Sequence, residues 1–144
     1  MKSLKFEIVL GGKLYEIPDA MFLKLLKKAQ SSLHQCYPTS GEGYAVAVLT
    51  SQGNIYTGAS YGSETATLTM HSEAVALAHA AQHGETEIIA ITGPNCHICK
   101  QLIWENSLRS GIEVQIILKE NGHLKRVPIS AVMPYPWPDA QGTK

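Results

Sequence analysis

The stretch EIIAITGPNCHICKQLIWE, residues 87–105, decides the fold. Glu87 to Thr92 is a short apolar run of strand type. Gly93-Pro94-Asn95 breaks it. A helix then begins near Cys96, carries Leu102, Ile103 and Leu108, and is closed by Gly111. Cys96 and Cys99 therefore fall at a helix N-terminus, whose partial positive charge favours thiolate over thiol. Cys-x-x-Cys spacing across a first helical turn lets both sulfurs face one ion.

Working outward, Glu113 to Lys119 reads as the next strand, and Asn121-Gly122 is a strong hairpin signal that returns His123 to Val127 antiparallel. A last short helix is expected over Ile129 to Met133, before the proline-rich tail 134–138. Upstream, an alanine-rich helix is expected from Leu68 to His83, packed closely against a sheet. Strands are expected over Tyr44 to Thr50 and Asn54 to Ala59, turning at Ser51-Gln52-Gly53. Pro18-Asp19 opens a helix in which Met21, Phe22, Leu25, Leu26, Ala29 and Leu33 form one apolar face, and it should stop before Pro38. Residues 4–10 and 13–17 flank Gly11-Gly12 as a small hairpin. This order predicts an α/β fold: one five-stranded mixed sheet with helices on both faces, plus the N-terminal hairpin. We expect residues 1–144 to form a single domain, with 1–17 as a hairpin extension.

Twelve basic and twelve acidic side chains cancel, which disfavours a nucleic-acid partner and favours a small neutral one. Three cysteines are too few for a disulfide framework. The N-terminus alternates apolar and polar residues without a signal-peptide core, and no apolar run approaches membrane-spanning length. The expectation is a cytoplasmic protein with no membrane partner. His34, His79, His83, His97 and His123 read as surface residues, Trp104 as core, Cys36 as a free or buried thiol, and Lys24, Lys27 and Lys28 as a solvated helix face.

His71 and Glu73 lie near the start of the second helix. Alone, Cys-x-x-Cys reads equally as a redox pair or half of a structural zinc site. One imidazole, two thiols and a carboxylate one residue past the His are what a catalytic zinc site requires: three ligands, an open fourth position for water, and a group free to move protons. Zinc in such a site lowers the pKa of water to roughly 7. The set suits hydrolysis at an electron-poor sp2 carbon.

His71-x-Glu73 followed by Pro94 and Cys96-x-x-Cys99 resembles the signature of zinc deaminases acting on cytosine or adenine. Lys100-Gln101-Leu102-Ile103-Trp104-Glu105 resembles the Arg-Gln-Val-Leu-Trp-Glu run of cytidine deaminases. Ile55-Tyr56-Thr57-Gly58, Tyr37-Pro38-Thr39-Ser40 and Met133-Pro134-Tyr135-Pro136-Trp137 are similar to further segments of that family. The likeness runs from about residue 20 to 137 and implies the three-layer α/β/α cytidine-deaminase-like fold. It implies that His71, Cys96 and Cys99 hold Zn2+ and that Glu73 is the catalytic proton shuttle. The expected reaction is hydrolytic deamination of a free cytosine nucleoside, as in pyrimidine salvage. The backbone around Ser72 and Pro94 would hold the exocyclic amine.

His71 in place of a third cysteine, with Ala74 where many members carry Arg, is self-consistent: one imidazole and two thiolates already neutralise zinc. Other positions depart from the family. Asn95 intervenes between Pro94 and the first cysteine. Ser60 and Gly62 stand where an Asn-x-Glu pair grips the ribose, and Tyr44 is the aromatic nearest to the ring-packing position. Hydrogen bonds to substrate hydroxyls discriminate strongly. A second expectation is therefore a blasticidin-type nucleoside or another aminated ring, and a third is a zinc-bound, non-catalytic relative. The resemblance further implies a homo-oligomer, tetramer or dimer, with Trp137 reaching a neighbouring subunit's site. A nucleic-acid-editing relative would instead have its last two strands parallel.

Overall fold

The computed structural model describes residues 4–9, 12–39 and 43–139. Strands β1 (Phe6–Val9) and β2 (Gly12–Tyr15) form the antiparallel N-terminal hairpin. The Leu10-Gly11 end of that reading and the Ser40-Gly41-Glu42 part of the first loop lie outside the described residues.

Helix α1 (Asp19–Ser31) starts after Pro18, with Asp19 in its first turn, and buries Phe22, Leu25 and Ala29 while Lys24, Lys27 and Lys28 stay exposed. It ends well before Pro38. The Ser31 and Ser32 hydroxyls both donate to the Lys28 carbonyl, competing with the helical ladder, and Leu33–Gln35 tightens into a 3-10 turn.

The main sheet holds β3 (Ala45–Thr50), β4 (Ile55–Ala59), β5 (Ile88–Thr92), β6 (Gln115–Glu120) and β7 (His123–Pro128), in the order β4-β3-β5-β6-β7. Only β5 and β6 are parallel, and α3 (His97–Ser110) makes that crossover. Asn121 and Gly122 both adopt positive φ, 50° and 79°, the requirement of a tight two-residue hairpin. β7 therefore returns antiparallel, as the Asn-Gly pair predicts. The last helical segment is a 3-10 turn at Ile129–Val132.

Helix α2 (Ser72–Gln82) is shorter than its expected span from Leu68 to His83. Ala66–Leu68 forms a 3-10 turn, and Met70 exchanges backbone hydrogen bonds with Tyr61 at 2.8 and 3.0 Å. The backbone just before the helix is spent on that bridge, so helix geometry begins only after His71.

α1 covers one face of the sheet, where Phe22 and Leu25 meet Ala47, Leu49, Ile89 and Ile117. α2 and α3 cover the other, where Ala76, Ala80, Ile103 and Trp104 meet Val46, Val48, Ile91 and Ile116. Helices thus occupy both faces, and Trp104 is core as expected. The alanines let α2 lie close, and Gly58 sets how close. A side chain at position 58 would lie 2.2 Å from the Ala76 nitrogen and 2.4 Å from the Ser72 carbonyl. The first turn of α2 therefore rests on the bare backbone of β4.

The opposite end of α2 is tied down by Glu85, which is buried. It accepts hydrogen bonds from Thr50 Oγ1 (2.6 Å), Asn54 Nδ2 (2.9 Å) and the Tyr56 hydroxyl. The Thr50 and Tyr56 bonds hold its carboxyl below the ordinary carboxylate range, and the Tyr56 phenol is raised in return. A depressed folded pKa stabilises the fold at neutral pH, and that contribution disappears as pH falls through the folded value. Glu85→Gln should therefore lower the thermal midpoint at neutral pH. The gap to the unaltered protein should close on acidification below about pH 4, the ordinary carboxylate range. Calorimetry across pH checks both.

Candidate metal centre and adjoining cavity

Two helix N-termini converge on one spot. His71 is the N-cap residue of α2 and Cys96 that of α3; Cys99 lies one turn into α3. His71 Nδ1 stands 3.2 Å from Cys99 Sγ and 3.5 Å from Cys96 Sγ, and all three donor atoms lie within 4.8 Å of one another. Cys99 is buried and Cys96 is exposed, so the set is closed on one side and open on the other. Among the described residues this is the one group of three or more such side chains spaced to share an ion.

The donor set fits a zinc ion. Nitrogen and sulfur ligands of a tetrahedral zinc stand about 3.6 Å apart, close to both separations here. Burial pushes the Cys99 thiol upward, with the Glu73 carboxylate and Cys96 adding to it. A buried sulfur in that setting becomes a thiolate only with a cation beside it, and a coordinated thiol loses its proton outright.

Glu73, in the first turn of α2, is 6% exposed, so its carboxylate is out of bulk water. Oε1 accepts the Ser72 hydroxyl at 2.7 Å, and Oε2 accepts Asn95 Nδ2 at 3.0 Å. Both donors are neutral. The carboxylate is oriented without being paired to a cation.

A cavity of about 570 Å³ opens above the donors. Its lining joins the buried Ser72 and Glu73 to His71, Pro94 and Cys96, and to Tyr37, Tyr44, Ser60, Gly62 and Thr69. Of the residues expected from sequence, His71, Glu73, Cys96, Ser72, Pro94, Ser60 and Tyr44 all border this space, and Cys99 adjoins it from beneath. Ser60 Oγ already accepts the Tyr44 amide at 3.1 Å, and Gly62 presents no side chain. Trp137 is not in the lining. It lies along α3, 72% exposed, with its carbonyl accepting Gln101 Nε2. His97, between the two cysteines in sequence, is exposed and outside the donor set.

Sequence reasoning missed two residues. Asn95 stood only as an interruption of the cysteine motif, yet its amide holds Glu73; an amide in an otherwise fixed spacing was the available signal. Tyr37 stood only within the Tyr37-Pro38-Thr39-Ser40 resemblance, but it lines the cavity and stacks on Tyr61 at 5.2 Å.

The family described as "Cytidine and deoxycytidylate deaminase zinc-binding region" matches residues 21–112. The chain belongs to this family. Its matched span contains all three donors and Glu73. No curated protein sequence matches the chain. Solved structures share the fold. The cytidine deaminase from Burkholderia pseudomallei superposes with a TM-score of 0.69 at 20% identity, covering 80% of this chain and 98% of that one. The cytidine deaminase from Mycobacterium tuberculosis gives 0.68 at 19%, covering 85% and 98%. The Bacillus anthracis cytidine deaminase gives 0.61 at 19%, covering 81% and 89%. The three-layer arrangement of this chain is that of cytidine deaminases.

If these three side chains are the ligands, replacing His71 or Cys99 by Ala should take bound zinc from about one ion per chain to near zero. His97→Ala should leave it unchanged. Metal analysis after dialysis against a weak chelator checks both.

Proposed function

We propose that this protein is a zinc-dependent hydrolase that deaminates a free cytosine nucleoside, cytidine or deoxycytidine, to the uracil nucleoside and ammonia. The observation that carries this reading is the placement of a buried Glu73 carboxylate, held by Ser72 and Asn95, beside the His71/Cys96/Cys99 donor set in the wall of a cavity large enough for a nucleoside.

His71, Cys96 and Cys99 would hold the zinc, which when bound activates water at neutral pH. Glu73 takes a proton from the attacking water and passes it to the ring nitrogen, then takes the second proton from the hydroxyl added to the ring carbon and delivers it to the departing amine as the carbon–nitrogen bond breaks and the carbonyl forms. Ser72 and Pro94 border the same cavity, and their backbone would receive the exocyclic amino group. The buried floor excludes bulk water around the carboxylate, so the proton passes between defined partners.

The lining argues for a nucleoside over a nucleotide. Among the described residues it contains no Lys or Arg, so nothing there would compensate a phosphate. In the same lining, Ser60 is engaged with backbone and Gly62 is bare. Tyr37 and Tyr44 offer aromatic surface where the family's Asn-x-Glu pair would meet sugar hydroxyls. This favours, as a second reading, a nucleoside whose appendage is not a plain ribose, such as a blasticidin-type compound. Self-association belongs to the same proposal and is supported by exposed Leu68, Met70 and Ile98 beside the donor set. In such an assembly Trp137 would serve a neighbouring copy, and light scattering tests the oligomer.

Glu73→Gln should keep zinc and lower kcat by roughly 100- to 10,000-fold. Ammonia release from cytidine, deoxycytidine, deoxycytidylate and blasticidin S should be strong for at least one nucleoside and weak for the nucleotide. Retained activity in Glu73→Gln, or a preference for the nucleotide, would refute the reading.

A further inference from the structure

Asn95 sits one residue before Cys96, in the break between β5 and α3, and is 8% exposed. Both hydrogens of its amide are engaged: Nδ2 donates to Glu73 Oε2 at 3.0 Å and to the Thr92 carbonyl at 3.2 Å. Both partners are acceptors, so the amide has one workable orientation. Turning it over would face Oδ1 against a carboxylate and a carbonyl. The bond to Thr92 anchors the side chain to the end of β5, a strand buried throughout. The bond to Glu73 then spans from the cysteine-bearing break to the first turn of α2.

We infer that Asn95 is a positioning residue that fixes the Glu73 carboxylate for proton transfer; this rests on the proposed deaminase reading. Three further observations support it. First, Asn95 Oδ1 is buried and has no hydrogen-bond partner among the described residues. An unpaired buried acceptor is a cost that a loop residue with only a packing role would not carry. Second, the side chain is confined from the Gly93 side: a Cβ there would lie 2.6 Å from Ile116 Cγ2 and 3.0 Å from Asn95 Oδ1, so the amide packs directly on bare backbone. Third, Asn95 and Ser72 hold the two carboxylate oxygens separately. Neither is charged, so Glu73 is aimed without an ion pair that would compete with the proton it must accept. The residue that interrupts the family's Pro-Cys spacing is thus the one that reaches Glu73.

The test compares Asn95→Ala, Asn95→Asp and Asn95→Ser with the unaltered protein. Asn95→Asp keeps the volume and removes the donor; Asn95→Ser restores a short donor. Measured are zinc content, thermal midpoint, kcat and KM on the best substrate, and a crystal structure of Asn95→Ala. The expected result is full zinc content, a kcat about 10- to 100-fold lower in the Ala and Asp variants, as for a lost hydrogen bond to a charged group, and KM within about twofold. Asn95→Ser should recover part of kcat, and the Glu73 carboxylate should be displaced or rotated in the Ala structure. An unmoved carboxylate with unchanged kcat would overturn the inference. So would zinc content falling in step with kcat, which would make Asn95 a support of the metal-binding turn. If the unaltered protein deaminates nothing, the functional proposal fails, while the position of Glu73 in the Ala structure still decides the inference.

Discussion

The close seat of α2 on β4 is the constraint from which the candidate site follows. His71 and Cys96 are 25 residues apart in the chain, and their donor atoms meet at 3.5 Å. The first turn of α2 has its place because Gly58 lets helix backbone rest on strand backbone. The place of α3 is fixed separately, by the parallel β5–β6 pairing and by the break after Thr92. Each helix presents its N-terminus to the same end of the sheet, where open α/β sheets gather their ligands. A shift of α2 by the width of one methyl group would separate the imidazole from the sulfurs and carry Glu73 with it.

The electrostatics of the site follow from the same geometry. Helix N-termini supply partial positive charge to two thiols and a carboxylate. Burial works in the opposite sense and raises the Cys99 thiol. The Glu73 carboxylate and Cys96 beside it act in the same sense as burial, and a cation is the natural completion of the group. Glu73 is treated differently. It is removed from water but met by a hydroxyl and an amide, which fix the direction of its two oxygens.

Much of this was legible from residue order. Period-two and apolar runs located all five strands of the main sheet, and Asn121-Gly122 gave the sense of the last pairing because only a tight turn suits two positive φ values. The Cys-x-x-Cys spacing marked two candidate donors because side chains three apart on a helix share a face, whereas His-x-Glu marked His71 and Glu73 through the family resemblance. What failed to show depended on partners distant in sequence. The late start of α2 arises from the pairing of Met70 with Tyr61, and the early end of α1 from serine hydroxyls turning back on Lys28. The role of Asn95 was hidden because a loop amide has no period. Its partner Glu73 is 22 residues away, and only the fold brings the two together.

Each margin of the main sheet carries features that blunt it. On β4, the Thr57 carbonyl is occupied by the His79 ring at 2.9 Å. On β7, Lys125 pairs with Glu120 and Arg126 with Asp19, and the Arg126 guanidinium covers Phe22. Charged and already-bonded margins resist adding a foreign strand. Fibre-like stacking through either margin is therefore disfavoured when the protein is crowded.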